Sequence, residues 1–113
     1  MKFEELCDAR YSLRKFDSRP VEAEKLQKVL EAGRKAPTAH NLQPQRFFVM
    51  QSEEALAKAD TCTACHFHPP VVIVAAYDPE IAWKREEDGK NHGEIDVTLA
   101  VSQMMLQAAE LGL

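Results

Sequence analysis

The sequence predicts one domain of alternating helices and strands, of class α/β or α+β, and three observations carry that expectation. Apolar residues recur at helical spacing between residues 22 and 35; two short runs, at 46–50 and 71–77, are aromatic or β-branched; and a long helical segment closes the chain. A length of 113 residues suits one hydrophobic core, which usually organises about 100–150 residues. With 45% hydrophobic and 28% charged residues, the composition is too apolar for a disordered chain.

Residues 3–9 read as a short helix in which Phe3, Leu6 and Cys7 share a face, followed by the basic segment from Arg10 to Lys15 and a break at Asp17, Ser18 and Pro20. From Glu22 to Lys35, Leu26, Val29, Leu30 and Gly33 form an apolar stripe opposite Glu22, Glu24, Lys25, Lys28 and Glu31, the pattern of an amphipathic helix. It ends before Pro37, and residues 37–44 (PTAHNLQP) have the composition of a loop. Arg46 to Met50 then suits a strand, and Ser52 before Glu53 and Glu54 suits the cap of a helix reaching about Asp60. The run Val71 to Tyr77 is apolar at every position but the last, which predicts a strand buried inside a sheet. Residues 78–93 are polar and turn-rich around Trp83. The helix expected over 94–111 carries Ile95, Val97, Leu99, Val101, Met104, Met105, Leu106 and Leu111, too many apolar residues for one face, so it belongs in a core or a subunit interface. Two strands cannot cover such a helix, which predicts further strands beyond this chain's two, missing or supplied by another chain.

Composition excludes several functions. A net charge of −4 and a pI near 5.5 disfavour a nucleic acid or an anionic membrane as partner. No apolar stretch approaches the roughly 18 residues that span a bilayer, and the acidic N-terminus is unlike a signal peptide, so the expected location is the cytoplasm. Glycine occurs only at 33, 89, 93 and 112, so neither a dinucleotide-binding glycine motif nor a P-loop can be written.

Two segments carry candidate chemistry. Arg10, Ser12, Arg14 and Lys15 gather cationic and hydroxyl donors within six residues; such a cluster suits phosphate, although a solvated basic patch is the commoner meaning. In the loop 37–44, two prolines fix the backbone while Asn41 and Gln43 offer donors and acceptors together, as the edge of a heterocycle requires; alone, the loop is equally well a connection and His40 a surface histidine.

Taken in order, Arg10-Tyr11-Ser12-Leu13-Arg14-Lys15-Phe16, Pro20-Val21, Leu30-Glu31-Ala32-Gly33-Arg34 and Ala36 through Phe47 closely resemble the nitroreductase family. The resemblance continues through Pro70 to Val74, Trp83, Asp88-Gly89-Lys90, Ile95-Asp96 and Met104 to Leu113, so it covers nearly the whole chain. It implies an α+β fold with helices around a central sheet, built as a homodimer with one FMN in each of two interfacial sites. Arg10, Tyr11, Ser12 and Arg14 match the segment that holds the FMN phosphate and ribityl chain from one subunit, and Pro37, Thr38, Ala39 and Asn41 match the segment that meets the flavin from the other. Family members pass a hydride from NADH or NADPH to the flavin and on to a nitroaromatic, quinone or similar acceptor, so no side chain is nominated as catalytic. Gln43 matches as support for the loop. Gln45 stands where many relatives carry Trp, and Thr38 and Ala39 where Ser is common, so the pocket is expected to differ in shape and polarity. Relatives usually continue past Leu113 with a strand, a further flavin-contacting segment and a basic stretch, which predicts a single domain over 1–113 that is incomplete at its C-terminus.

One motif stands outside this reading. Cys62-Thr63-Ala64-Cys65-His66, with His68 beyond it, has the C-x-x-C-H pattern of c-type haem attachment and the donor types of a zinc site. Haem attachment belongs mostly to exported proteins, zinc lacks a distant second ligand pair, and a redox dithiol would sit at a helix N-terminus after a strand. The favoured expectation is a loop with two buried or partly buried free thiols and no metal; a metal- or haem-binding electron-transfer module and a non-catalytic dimerisation fragment are the alternatives.

Overall fold

The computed structural model describes residues 1–113. Its elements are α1 (Phe3–Ala9), α2 (Ala23–Arg34), a single 3-10 turn (Ala39–Asn41), β1 (Gln45–Met50), α3 (Glu53–Asp60), β2 (Val72–Tyr77) and α4 (Gly93–Glu110). The strands pair antiparallel, Gln45 opposite Tyr77 through Met50 opposite Val72, and α2 and α4 pack together against them, an α+β arrangement.

Each boundary follows local chemistry. Ser52 caps α3 by accepting a hydrogen bond from the Ala55 N–H at 3.1 Å, as its position before two glutamates predicts. The last carbonyls of α2 are satisfied from other elements, Ala32 O by Gln103 Nε2 at 2.9 Å and Gly33 O by Gln45 Nε2 at 3.2 Å. Pro44 follows at the entry to β1 and is fully buried, its carbonyl accepting from Asp78 N at 2.9 Å and so joining the loop 37–44 to the end of β2.

The core lies where α4 crosses α2 and the strand pair. Val29 on α2 and Ala100 and Met104 on α4 are buried, with Ala36 and Ala82 at the margins. A Cβ on Gly33 would stand 2.6 Å from Met104 Sδ and 2.7 Å from Phe47 Cζ, so α2 meets both α4 and β1 at a residue without a side chain. At Gly93, the first residue of α4, a Cβ would overlap the edge of the Tyr77 ring at Cδ2 and Cε2.

Several expectations are corrected. The strands begin one residue from where composition predicted, at Gln45 and at Val72. β2, expected inside a sheet, has β1 as its one hydrogen-bonded neighbour, because the chain supplies only two strands. Its outward face remains open: Phe48 and Val74 oppose each other across the ladder and are 53% and 41% exposed. The apolar girth of α4 is half covered, with Gly93, Asp96, Ala100 and Met104 buried while Ile95, Leu99 and Met105 face outward. In α1 the predicted stripe is covered only at Leu6, which is half-buried, while Phe3 and Cys7 are exposed. The Cα radius of gyration is 15.4 Å, against about 13 Å for a compact domain of this length. No helix is long and apolar enough to cross a membrane.

The contact at Gly93 yields the first prediction. Because the neighbour there is the near side of a ring and not the end of a flexible chain, Gly93→Ala must displace Tyr77 or α4, and overpacking of this kind costs about 1–3 kcal/mol. Urea unfolding should show that loss; an unchanged midpoint would mean that α4 is not seated as described.

Candidate functional site

The chain has six arginines. Four are engaged: Arg19 with Asp17, Arg34 with Glu31, Arg85 with Asp88, and Arg46 donating to the carbonyls of Gln43 and Gln45. These pairings hold their acids low: hydrogen bonding from Arg34 lowers the Glu31 carboxyl, and that from Arg85, then the Lys90 N–H, holds Asp88 well below the usual carboxylate range. The Asp88 pair therefore persists through neutral pH and is lost only as acid protonates Asp88. The guanidiniums of Arg10 and Arg14 alone make no ion pair or hydrogen bond in the chain. They occupy the irregular segment after α1, with Tyr11, Ser12 and Arg14 exposed and Arg10 half-buried. Paired with none of the chain's acids, they are free to meet an external anion.

The second predicted segment is more elaborately held. Thr38 is extended, at φ −134° and ψ 155°, and Ala39–Asn41 then turn. His40, Asn41 and Gln43 all have φ of 54°, so three of the chain's four non-glycine residues in the left-handed region fall in this loop. That conformation costs about 1–2 kcal/mol for an ordinary residue, less for Asn, and persists only where its surroundings fix it. The fixing contacts can be named. Thr38 Oγ1 accepts from Gln43 N at 3.0 Å, Thr38 O from Asn41 N at 2.9 Å, and Gln43 O from Arg46 at 2.9 Å. The His40 ring stacks on Trp83 with centroids 4.9 Å apart, and Trp83 in turn meets His92 at 4.6 Å. Beneath the turn, Asp96 Oδ1 accepts the Ala39 N–H at 3.0 Å. Pro37 and Asn41 are exposed, and Thr38 and Ala39 are half-buried.

No hydrogen bond or ion pair joins residues 10–14 to residues 37–41, and none of the eight nominated residues lines either of two cavities. One, of about 470 Å³, runs along α2 beside Gln43, Gln45 and Phe47. The other, of about 500 Å³, lies among Phe16, Val21, Leu26, Val29, Pro70 and Leu113. The Gln45 side chain, 8% exposed, points back to the Gly33 carbonyl at the end of α2, so this departure from the family pattern is tied into the scaffold.

The segment 62–68 does not assemble a metal site. Cys62 and Cys65 are exposed, against the expectation of two buried or partly buried thiols, because the loop from Thr61 to Pro69 has little packed over it. His66 Nε2 lies 2.9 Å from Asp60 O and 2.7 Å from Thr63 O, which makes it a donor to carbonyls. No group of three His, Cys, Asp or Glu side chains is gathered anywhere in the chain.

Sequence reasoning missed two features: the His40–Trp83–His92 stack, in which His40 is separated in sequence from the other two by two strands and a helix, and the role of Asp96. The second had a signal, an acidic residue standing directly between the apolar Ile95 and Val97.

This chain belongs to the nitroreductase family, whose model matches residues 8–69. A nitroreductase family protein from Clostridium difficile 630 superposes with a TM-score of 0.94 at 44% identity, over 99% of this chain and 64% of that one. An FMN-dependent nitroreductase from Clostridium difficile R20291 gives a TM-score of 0.76 at 34% identity, over 95% of this chain and 60% of that one. A protein of Streptococcus pyogenes serotype M6, provisionally named an NAD(P)H nitroreductase, is 42% identical over 59 residues, 51% of this chain and 30% of the relative. The chain thus spans less than two thirds of the length of each.

The strained loop gives a second prediction. At a φ of 54°, His40→Gly should be more stable than His40→Ala by about 1 kcal/mol. Both lose the stack, so Trp83 emission should move to longer wavelength in each. Equal denaturation midpoints for the two variants would show that residue 40 is not held in the left-handed region.

Proposed function

We propose that residues 1–113 belong to a single nitroreductase-like domain of an FMN-dependent oxidoreductase that passes electrons from NADH or NADPH to a nitroaromatic, quinone or similar small acceptor. The observation that carries this reading is that, of six arginines, the two with unengaged guanidiniums are Arg10 and Arg14. Family membership, the FMN dependence of the relative from Clostridium difficile R20291 and the name of the streptococcal relative support it.

The residues fit the group. Arg10 and Arg14 offer planar, paired donors to a phosphate monoester, Ser12 adds a neutral hydroxyl, and Tyr11 an apolar ring beside the ribityl chain. Pro37, Thr38, Ala39 and Asn41 present a fixed backbone and an Asn amide to the edge of a planar heterocycle. The chemistry supplied by bound FMN is the alternating acceptance and donation of a hydride; the chain's residues bind and orient. The two half-sites share no hydrogen bond or ion pair within one chain, and the apolar surface around Ile95, Leu99 and Met105 is uncovered. Both features support a homodimer in which one subunit's Arg10, Tyr11, Ser12 and Arg14 face the other's Pro37, Thr38, Ala39 and Asn41. NAD(P)H as donor fits action in the cytoplasm.

The test is made on the full-length protein, which should purify yellow with FMN released on denaturation. Arg10→Ala and Arg14→Ala should each weaken FMN binding by roughly 10- to 150-fold, the equivalent of about 1.5–3 kcal/mol for a charge-assisted contact. Neither side chain contributes to the core, so thermal melts of the flavin-free variants should match the parent. Flavin-fluorescence titration reads the affinity. Variants that bind FMN like the parent, or lose it only because the flavin-free protein has unfolded, would overturn the phosphate role.

A further inference from the structure

We propose that Asp96 is the positioning residue that sets the Ala39–Asn41 backbone for flavin contact, an inference that rests on the FMN reading above. Asp96 is 1% exposed, in the first turn of α4, and its side chain makes one hydrogen bond, from the Ala39 N–H 57 residues away; Oδ2 has no partner. A buried carboxyl with one of its two oxygens unmatched is a poor choice for stability, since desolvation is only partly offset. An apolar residue of similar size would suit the surrounding Ala100 and Met104 core better. What the carboxyl provides is directional. It fixes the first residue of a turn whose next two residues are both in the left-handed region, and it ties that turn to the longest helix of the fold. Of the contacts that hold the turn, the Thr38 bonds are internal to the loop, the Arg46 bond and the Trp83 stack act at Gln43 and His40, and the Asp96 bond alone references its first residue to α4. The placement of the Ala39 backbone against that helix is therefore set by this acceptor, and a local cost at a point that sequence patterning does not require is characteristic of functional sites.

The inference is tested with full-length Asp96→Leu, Asp96→Asn and Ala39→Pro, by FMN titration and by melting without flavin. Asp96→Leu should bind FMN at least about tenfold more weakly while its flavin-free form melts no lower than the parent; Asp96→Asn, which keeps an acceptor for Ala39 N–H, should stay within about threefold of the parent. Ala39→Pro removes the same bond from the donor side, and Thr38 already has the extended backbone that precedes proline, so it should weaken binding as Asp96→Leu does and carries the test should that variant not fold. Folded Asp96→Leu or Ala39→Pro protein with parental affinity overturns the proposal, as does an affinity loss in Asp96→Asn equal to that in Asp96→Leu. A parent protein that binds no FMN overturns the FMN reading, and this inference with it.

Discussion

The fold depends on how closely α4 approaches its neighbours. It is the one helix that touches α1, α2, β1 and β2, and it reaches them at two positions that lack side chains, Gly33 against Met104 and Phe47, and Gly93 against Tyr77. Interiors pack as densely as organic crystals, so a methyl group at either point displaces a ring or a helix. Through that seating α4 acquires its second duty, since the same first turn that begins at Gly93 holds Asp96 under the loop 37–44. Scaffold and candidate site are thus set by the same few residues.

Much of this was legible in the sequence, for identifiable reasons. The stripe Leu26, Val29, Leu30, Gly33 marked α2 because a helix packed on one side imposes a 3.6-residue period. Pro37 and Pro44 bounded the loop because proline fixes the backbone wherever it stands. The nominated segments were found as motifs, and the structure adds what composition does not contain: which arginines are engaged. Partner choice among Arg19, Arg34, Arg46 and Arg85 is local, three of the four pairing within three residues with an acid and the fourth bonding nearby carbonyls, and so was partly readable; the lack of any such partner for Arg10 and Arg14 emerges only once the backbone is placed.

What could not be read was cover. Apolar residues on β2 and all around α4 predict burial, and hydrophobicity states a requirement for contact without saying which chain supplies it. Val74, Leu99 and Met105 accordingly stand exposed in this chain. The same limit explains the thiols, because a loop's cysteines are covered or bare according to tertiary packing that their spacing does not encode. Of the left-handed residues at 40, 41 and 43, Asn41 is of a type that favours that region, but His40 and Gln43 carry no signature as strong as glycine's, so strain imposed there by the surroundings leaves little trace in composition.

Charge distribution finally bears on how an anion could be held by an acidic chain. Residues 10–19 carry Arg10, Arg14, Lys15 and Arg19 against a single acid, Asp17, so the rest of the chain is more negative than the overall −4. Between exposed charges, that wider field is screened beyond about 8 Å at physiological ionic strength, whereas a phosphate in contact with a guanidinium lies well within this distance. Local geometry therefore outweighs net charge. Arg19 is already neutralised by Asp17, and Lys15 is a point donor without a paired fork, which leaves Arg10 and Arg14 as the groups with both the charge and the planar donor pair a phosphate requires. The acidic remainder disfavours extended polyanions as partners, so a compact anion such as the single phosphate of the proposed site is the kind that suits this charge distribution.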